Sequence, residues 1–214
     1  MRTKTLLIAA AALAVGIISS EAQVYSQNVV GYVNLSVAAS GYTVVTMPLD
    51  YDGTGTNNTV SAIIGTNLPV GSSIQNWSGT GFAGNSYSKK GWASPSQTYN
   101  PGEGVFIYNP SNYVVSLTIV GTVLQGGMTN GYVLPNSYSV VGGQFPVQGG
   151  ISSTFGYIPS IGDSVQTWNG TGFSGNSYSK KGWGSGEPQL DVGQAVFLNT
   201  TNLNPVWGTN FIVK

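Results

Sequence analysis

The chain contains no cysteine and no histidine among its 214 residues. Without cysteine there is no disulfide framework, no thiolate metal site and no lipid-modified cysteine anchor. Without either residue, Ser-His-Asp and Cys-His catalysis are excluded, and a Ser-Lys pair is the nucleophilic arrangement left open. Charge is almost as scarce, with Asp, Glu, Lys and Arg making up 7% of the chain. Beyond residue 22 the cations are Lys89, Lys90, Lys180, Lys181 and Lys214, and the anions are Asp50, Asp52, Glu103, Asp163, Glu187 and Asp191, a formal charge of −1. No basic stripe can be built from so few lysines, so nucleic acid is excluded as a partner. Solubility rests on Ser, Thr, Asn, Gln and backbone amides. Such a neutral polar surface suits a protein that meets glycans, a matrix or copies of itself.

Long apolar runs are also absent, except at the N-terminus. Arg2 and Lys4 precede an Ala-rich stretch from Leu6 to Ile18, and Ser20-Glu21-Ala22 offers small residues at the −3 and −1 positions. This predicts a signal peptide over residues 1–22, cleaved before Gln23, with a retained anchor as the alternative. The run is shorter than the roughly 20 residues a spanning helix needs, so no membrane span is expected in the mature chain. The expected destination is outside the cell or on its surface, with the periplasm a further option. About 190 mature residues are enough to bury a core without disulfides.

What the sequence has in abundance is repetition. Residues 71–92 and 162–183 are identical at seventeen of twenty-two positions, at a constant offset of 91. The offset continues from Gly102–Ile107 to Gly193–Leu198, while Tyr42–Val45 matches Tyr138–Val141 at an offset of 96. Val29–Val33 resembles Ile119–Val123, with a weaker echo at Val206–Thr209, which suggests a junction strand used by both copies. The predicted division is a first module over 23–118 and a second over 119–214.

Both copies read as β-structure. From Tyr113 to Val123 the apolar residues alternate with Ser116, Thr118 and Thr122, the period-2 signature of a half-buried strand. Further strands are expected at 42–47, 72–77, 82–88 and 104–108, with counterparts in the second copy and Gly-rich turns between them. Single helical turns fit 58–64 and 151–157, and no long amphipathic helix is visible. The expected fold is all-β: two tandem sandwich- or barrel-like modules related by a pseudo-twofold. The strand Gly41–Val45, the W-x-G-T-G-F turn at 77–82 and Pro101-Gly102-Glu103-Gly104-Val105-Phe106 resemble the tandem β repeat of uncharacterised secreted bacterial proteins. The second copy departs from this with Val192-Gly193-Gln194-Ala195. The resemblance implies secretion and fold, and no activity.

Candidate chemistry is thin. Lys89 and Lys90 beside Ser86 and Ser88 would need burial to act as bases, and a Lys-Lys pair before Gly reads as a solvated turn. Glu187 with Asp191, or Asp50 with Asp52, is the candidate carboxylate pair for a glycoside hydrolase, but no acid repeats between copies. Asp50–Gly55 faintly resembles a calcium loop, yet Ser61 stands where a loop-closing Glu belongs, and an Asp/Gly turn is the simpler reading. No catalytic activity, metal or cofactor is therefore expected. The aromatic residues carry more. Trp77, Phe82, Tyr87 and Trp92 recur as Trp168, Phe173, Tyr178 and Trp183, and in the strand Ser73–Trp77 the side chains of Gln75 and Trp77 share the face away from Ile74. The candidate ligand-binding residues are Trp77, Tyr87, Lys89, Lys90 and Trp92, with Trp168, Tyr178, Lys180, Lys181 and Trp183 in the second copy. Aromatic faces beside amides suit sugar binding, while buried rings would simply be core. The leading expectation is a structural or interaction protein of the cell surface or matrix, self-associating or meeting polysaccharide; a two-site carbohydrate-binding module is the alternative, and a glycosidase the next.

Overall fold

The computed structural model describes residues 29–213, and the expected signal peptide lies outside them. Seventeen strands and one helical turn are assigned among the described residues. In the first copy β1 (Val30–Val37) and β7 (Val115–Thr122) form an antiparallel ribbon. Between them in sequence come β2 (Gly41–Thr46), α1 (Val60–Ile63), β3 (Ser73–Trp77), β4 (Phe82–Ser88), β5 (Gly91–Trp92) and β6 (Gly104–Asn109). These strands make a five-stranded sheet in the order β2-β6-β3-β4-β5. The second copy contains β8 (Gly126–Thr129), β9 (Tyr138–Gly142), β10 (Gly149–Gly150), β11 (Tyr157–Ile158), β12 (Ser164–Trp168), β13 (Phe173–Ser179), β14 (Gly182–Trp183), β15 (Gln189–Leu190), β16 (Ala195–Asn199) and β17 (Val206–Phe211). Its five-stranded sheet runs β9-β16-β12-β13-β14, and β11-β17-β8 stands where the first copy has its ribbon.

Alternation decides which side of each strand is buried. In β1 and β7 the residues Val33, Leu35, Val37, Leu117 and Ile119 point inward, while Tyr32, Asn34, Ser116 and Thr118 face out. The inward set packs against Val45, Ile74, Val105 and Ile107 of the first sheet to form one core. A second core joins Val141, Val165, Val196 and Leu198 to Phe145, Phe155, Tyr157 and Trp207. Each fully buried aliphatic side chain contributes about 1.5–3 kcal/mol, so these two sandwiches carry most of the stability. A third, smaller cluster lies between the sheets themselves: Val44, Phe106, Val140 and Ala195, flanked by Tyr42, Trp77, Trp168 and Phe197. The layer order is ribbon, sheet, sheet, ribbon.

The contacts between copies come in reciprocal pairs. Val45 bridges Gln194 and Val141 bridges Glu103, and these residues correspond through the two offsets. Likewise the Thr46 amide donates to Gly193 O at 2.9 Å, and the Gly142 amide donates to Gly102 O at 3.1 Å. Close approach here depends on glycine: a Cβ on Gly104 would lie 2.6 Å from Val140 Cγ1, and one on Gly142 would lie 2.6 Å from Thr46 Cγ2.

Two details differ from the sequence reading. The boundary between residues 118 and 119 falls inside β7, which pairs with β1 along its whole length and is not shared between copies. Shared apolar alternation made the strand look common to both, but hydrogen-bond register assigns it to the first. Of the two expected helical turns, α1 forms with Thr59 as its N-cap, whereas 151–155 is a turn closed by Thr154 and Phe155 amides on Gly150 O.

Candidate functional site

The site is built on the two hairpins β3–β4 and β12–β13. Ile74 is fully buried on the core side, so Ser73, Gln75 and Trp77 turn to the opposite face, toward the other copy. Each hairpin closes through a glycine at positive φ, Gly79 (95°) and Gly170 (99°), in a turn where the Ser78 amide donates to Gly81 O and the Asn169 amide to Gly172 O. That geometry sets Trp77 directly across from Phe82, and Trp168 across from Phe173.

Each tryptophan reaches the other copy. Trp77 Nε1 donates to Tyr138 O at 2.9 Å, and Trp168 Nε1 donates to Tyr42 O at 2.9 Å. Phe106 and Phe197 stand between them with centroids 5.7 Å apart. Phe82 packs 5.3 Å from Phe106, and Phe173 packs 5.4 Å from Phe197, both edge-on. Six rings from two copies thus form one continuous cluster around a cleft of about 520 Å³. Phe82 and Phe173 are 50% and 46% exposed at its rim. The polar groups are amides and phenols: Gln75 Nε2 donates to Tyr42 OH at 3.2 Å, and Gln166 lines an adjoining lobe of about 280 Å³ with Tyr138. No carboxylate or lysine lines either space.

The ten sequence-selected residues divide into three groups. Trp77 and Trp168 enter this cleft, where they staple the copies together as well as lining the space. Tyr87 and Trp92 lie five or more residues further along β4 and β5, roughly 16 Å away at 3.3 Å per residue, on the core face of the sheet. Their rings are 5.0 Å apart, and Trp92 is 8% exposed with Nε1 donating to Gly65 O at 2.8 Å. Tyr178 and Trp183 form the same pair at 5.2 Å, half-buried. Lys89, Lys90, Lys180 and Lys181 occupy exposed turns between β4–β5 and β13–β14. The structure therefore does not bring the aromatic and lysine residues together as two separate sites. It places one tryptophan from each copy in a single cleft and leaves the lysine turns apart from it.

Phe106, Phe197, Phe82, Phe173, Tyr42 and Tyr138 are functional candidates that the sequence reading left out of its site. A signal existed: Val105-Phe106-Ile107 and Val196-Phe197-Leu198 are uninterrupted apolar runs, as expected for strands covered on both faces.

Asp50, Asp52, Glu103, Asp163 and Glu187 hold structure. Glu187 Oε1 accepts the Ser152 and Ser153 amides at 2.6 Å each; burial alone would push its carboxyl up, but these bonds outweigh it and leave it below the usual range. Asp163 is fully buried and accepts from Tyr157 OH at 2.5 Å and from the Ser160 and Thr201 amides at 2.7 Å. Burial acts to raise it, and the bonds from Tyr157, Ser160 and Thr201 prevail and lower it. Burial pushes Glu103 up, partly offset by the Asn100 amide. In the Asp50–Gly55 loop, Asp50 Oδ1 accepts the Gly53 amide at 3.0 Å and Asp52 Oδ1 the Thr54 amide at 3.0 Å, the pattern of Asx turns. No helix of the described residues is long and apolar enough to cross a membrane. No family model, curated protein or solved structure matches the chain.

Proposed function

We propose that this chain is a secreted, non-catalytic interaction protein of the cell surface or extracellular matrix, with the aromatic cleft between its copies as the binding surface. The observation that carries this reading is the six-ring cluster, which is contributed equally by both copies and stays half-exposed at Phe82 and Phe173. Rings left at a surface by two rigid sheets cost solubility, and a bound partner recovers the apolar area. A cleft of about 520 Å³ falls in the size range of small-ligand sites, roughly 300–1,000 Å³.

A carbohydrate ligand is the second reading, favoured by one feature. Gln75 and Gln166 set amides beside the rings, the pairing of apolar face and hydrogen-bonding edge that a sugar requires. The rings meet at steep angles, 62° for Trp77 with Phe82 and 78° for Phe173 with Phe197, so a single sugar or one apolar side chain suits them better than an extended flat chain. The test is a glycan, polysaccharide and matrix-protein binding screen on wild type and on Phe82→Ser with Phe173→Ser. Binding lost in the double variant with an unchanged melting temperature supports the cleft. Equal binding by both proteins removes it.

A further inference from the structure

A second space, larger than the aromatic cleft, lies where the end of β1 meets the edge of β2 and the second copy's 191–194 turn. It measures about 620 Å³, and Ser36, Ala38, Thr43, Gly170 and Asp191 are on its walls. The duplication shows what this volume holds elsewhere in the molecule. At the offset of 96, Ser36 and Ala38 correspond to Tyr132 and Leu134. The alignment is supported locally, because the Ala38 amide donates to Thr43 Oγ1 at 2.9 Å and the Leu134 amide donates to Ser139 Oγ at 2.7 Å. Ser40 and Asn136, also equivalent, share positive φ angles of 48° and 45°.

In the second half two larger side chains occupy the equivalent place, beside a cleft of about 460 Å³ that Tyr132 and Asn100 border. Tyr132 OH accepts from Asn100 Nδ2 at 2.9 Å, and Leu134 covers the turn at Gly79, its Cδ1 2.9 Å from where a Cβ on that glycine would stand. In the first half Tyr is replaced by Ser and Leu by Ala, the turn glycine Gly170 has nothing within 4 Å of a would-be Cβ, and the residue matching Asn100 is Asp191, exposed and with no hydrogen bond to its carboxylate among the described residues. Relative to Tyr132 and Leu134, Ser36 and Ala38 lack a phenol ring and an isopropyl group, and the space left is bordered by an acceptor.

We infer that this groove docks a polypeptide segment of a partner protein that supplies an aromatic hydroxyl to Asp191 and an aliphatic side chain over Gly170, as Tyr132 and Leu134 do in the other half. The change from Asn100 to Asp191 sets the chemistry. Asn100 donates to the phenol oxygen, whereas a carboxylate only accepts, so the incoming group must be a donor. The groove shares Tyr42 and Trp168 with the aromatic cleft and is otherwise distinct from it, so either assignment can fail alone.

The probe is a blocked peptide of the chain's own residues 130–136, titrated into the purified protein and followed by backbone amide NMR shifts. Saturable shifts at Ala38, Thr43 and Gly170 are expected. Phe in place of Tyr132 in the peptide, or Asp191→Ala in the protein, should weaken binding roughly tenfold. Ser36→Tyr with Ala38→Leu rebuilds the filled half and should abolish binding. The inference is overturned by no shifts at millimolar peptide, by unchanged binding in that double variant with a dispersed spectrum, or by shifts centred on Phe82 and Phe173. If the double variant loses its dispersed spectrum, Asp191→Ala at its exposed position decides. A β-linked glucose oligosaccharide that shifts Thr43 and Gly170 where the peptide does not assigns the groove to glycans and overturns the peptide.

Discussion

Asp163 shows how one substitution distinguishes the copies. The first copy has Ser72 at this position, and the second has a carboxylate that organises Tyr157, Ser160, Thr200 and Thr201. Asp163→Ala strands those donors, of which Tyr157 and Thr200 are buried, and should cost about 3 kcal/mol, read from denaturant unfolding. Its carboxyl is held below the unfolded value of about 3.9, so its contribution is present above that pH and is lost as pH falls through the folded value. Asp163→Asn should flatten this acid branch of the stability curve, and a branch of undiminished height would assign it to other carboxylates. The tryptophans separate in the same way. Trp92 is core, so Trp92→Ala should cost about 3–5 kcal/mol. Trp77→Phe keeps a ring and loses one bond to Tyr138 O, and should cost about 1 kcal/mol.

At the scale of elements, the lysine turns and the hairpins behave differently. Gly91, in the turn after Lys89-Lys90, has φ near 98° and nothing within 4 Å of a would-be Cβ. Gly91→Ala should therefore lower stability by about 1–2 kcal/mol through backbone conformation alone. Lys89→Ala with Lys90→Ala should leave both the melt and ligand binding unchanged; loss of binding would return the lysine turns to the site. These elements also mark how far the sequence was legible. Strand positions in both copies, the outward turn of Trp77 and the Gly-rich hairpins follow from period-2 alternation and repeat spacing, which are local. The pairing of β7 with β1 and the joining of two tryptophans in one cleft depend on how sheets stack, which alternation within a strand does not encode. Recurrence in the second copy groups Tyr87 with Trp77, yet the odd step from Phe82 to Tyr87 puts the two on opposite faces. The Lys-Lys pair repeats unchanged with the aromatics, but its side chains lie in an exposed turn.

For the whole molecule, the reciprocal contacts between sheets raise the question of why two copies are joined in one chain in place of one copy that pairs with itself. The junction residues supply an answer. In the intact protein the tight contact pairs Thr46 of one sheet with Gly142 of the other, and a Cβ on that glycine would already fall 2.6 Å from Thr46 Cγ2. Two first copies would set Thr46 against Thr46, placing side chains where only glycine fits. At this contact the two copies are complementary, and a clash in the like pair would favour the unlike one. Separately produced halves, 29–124 and 125–213, should therefore associate one-to-one when mixed, while the first half alone stays monomeric in sedimentation velocity. Thr46→Gly in the isolated first half removes the clash and should allow a symmetric dimer through the Val44 and Phe106 face. A wild-type first half that dimerises as tightly as the mixture would show that the Thr46–Gly142 contact does not govern pairing.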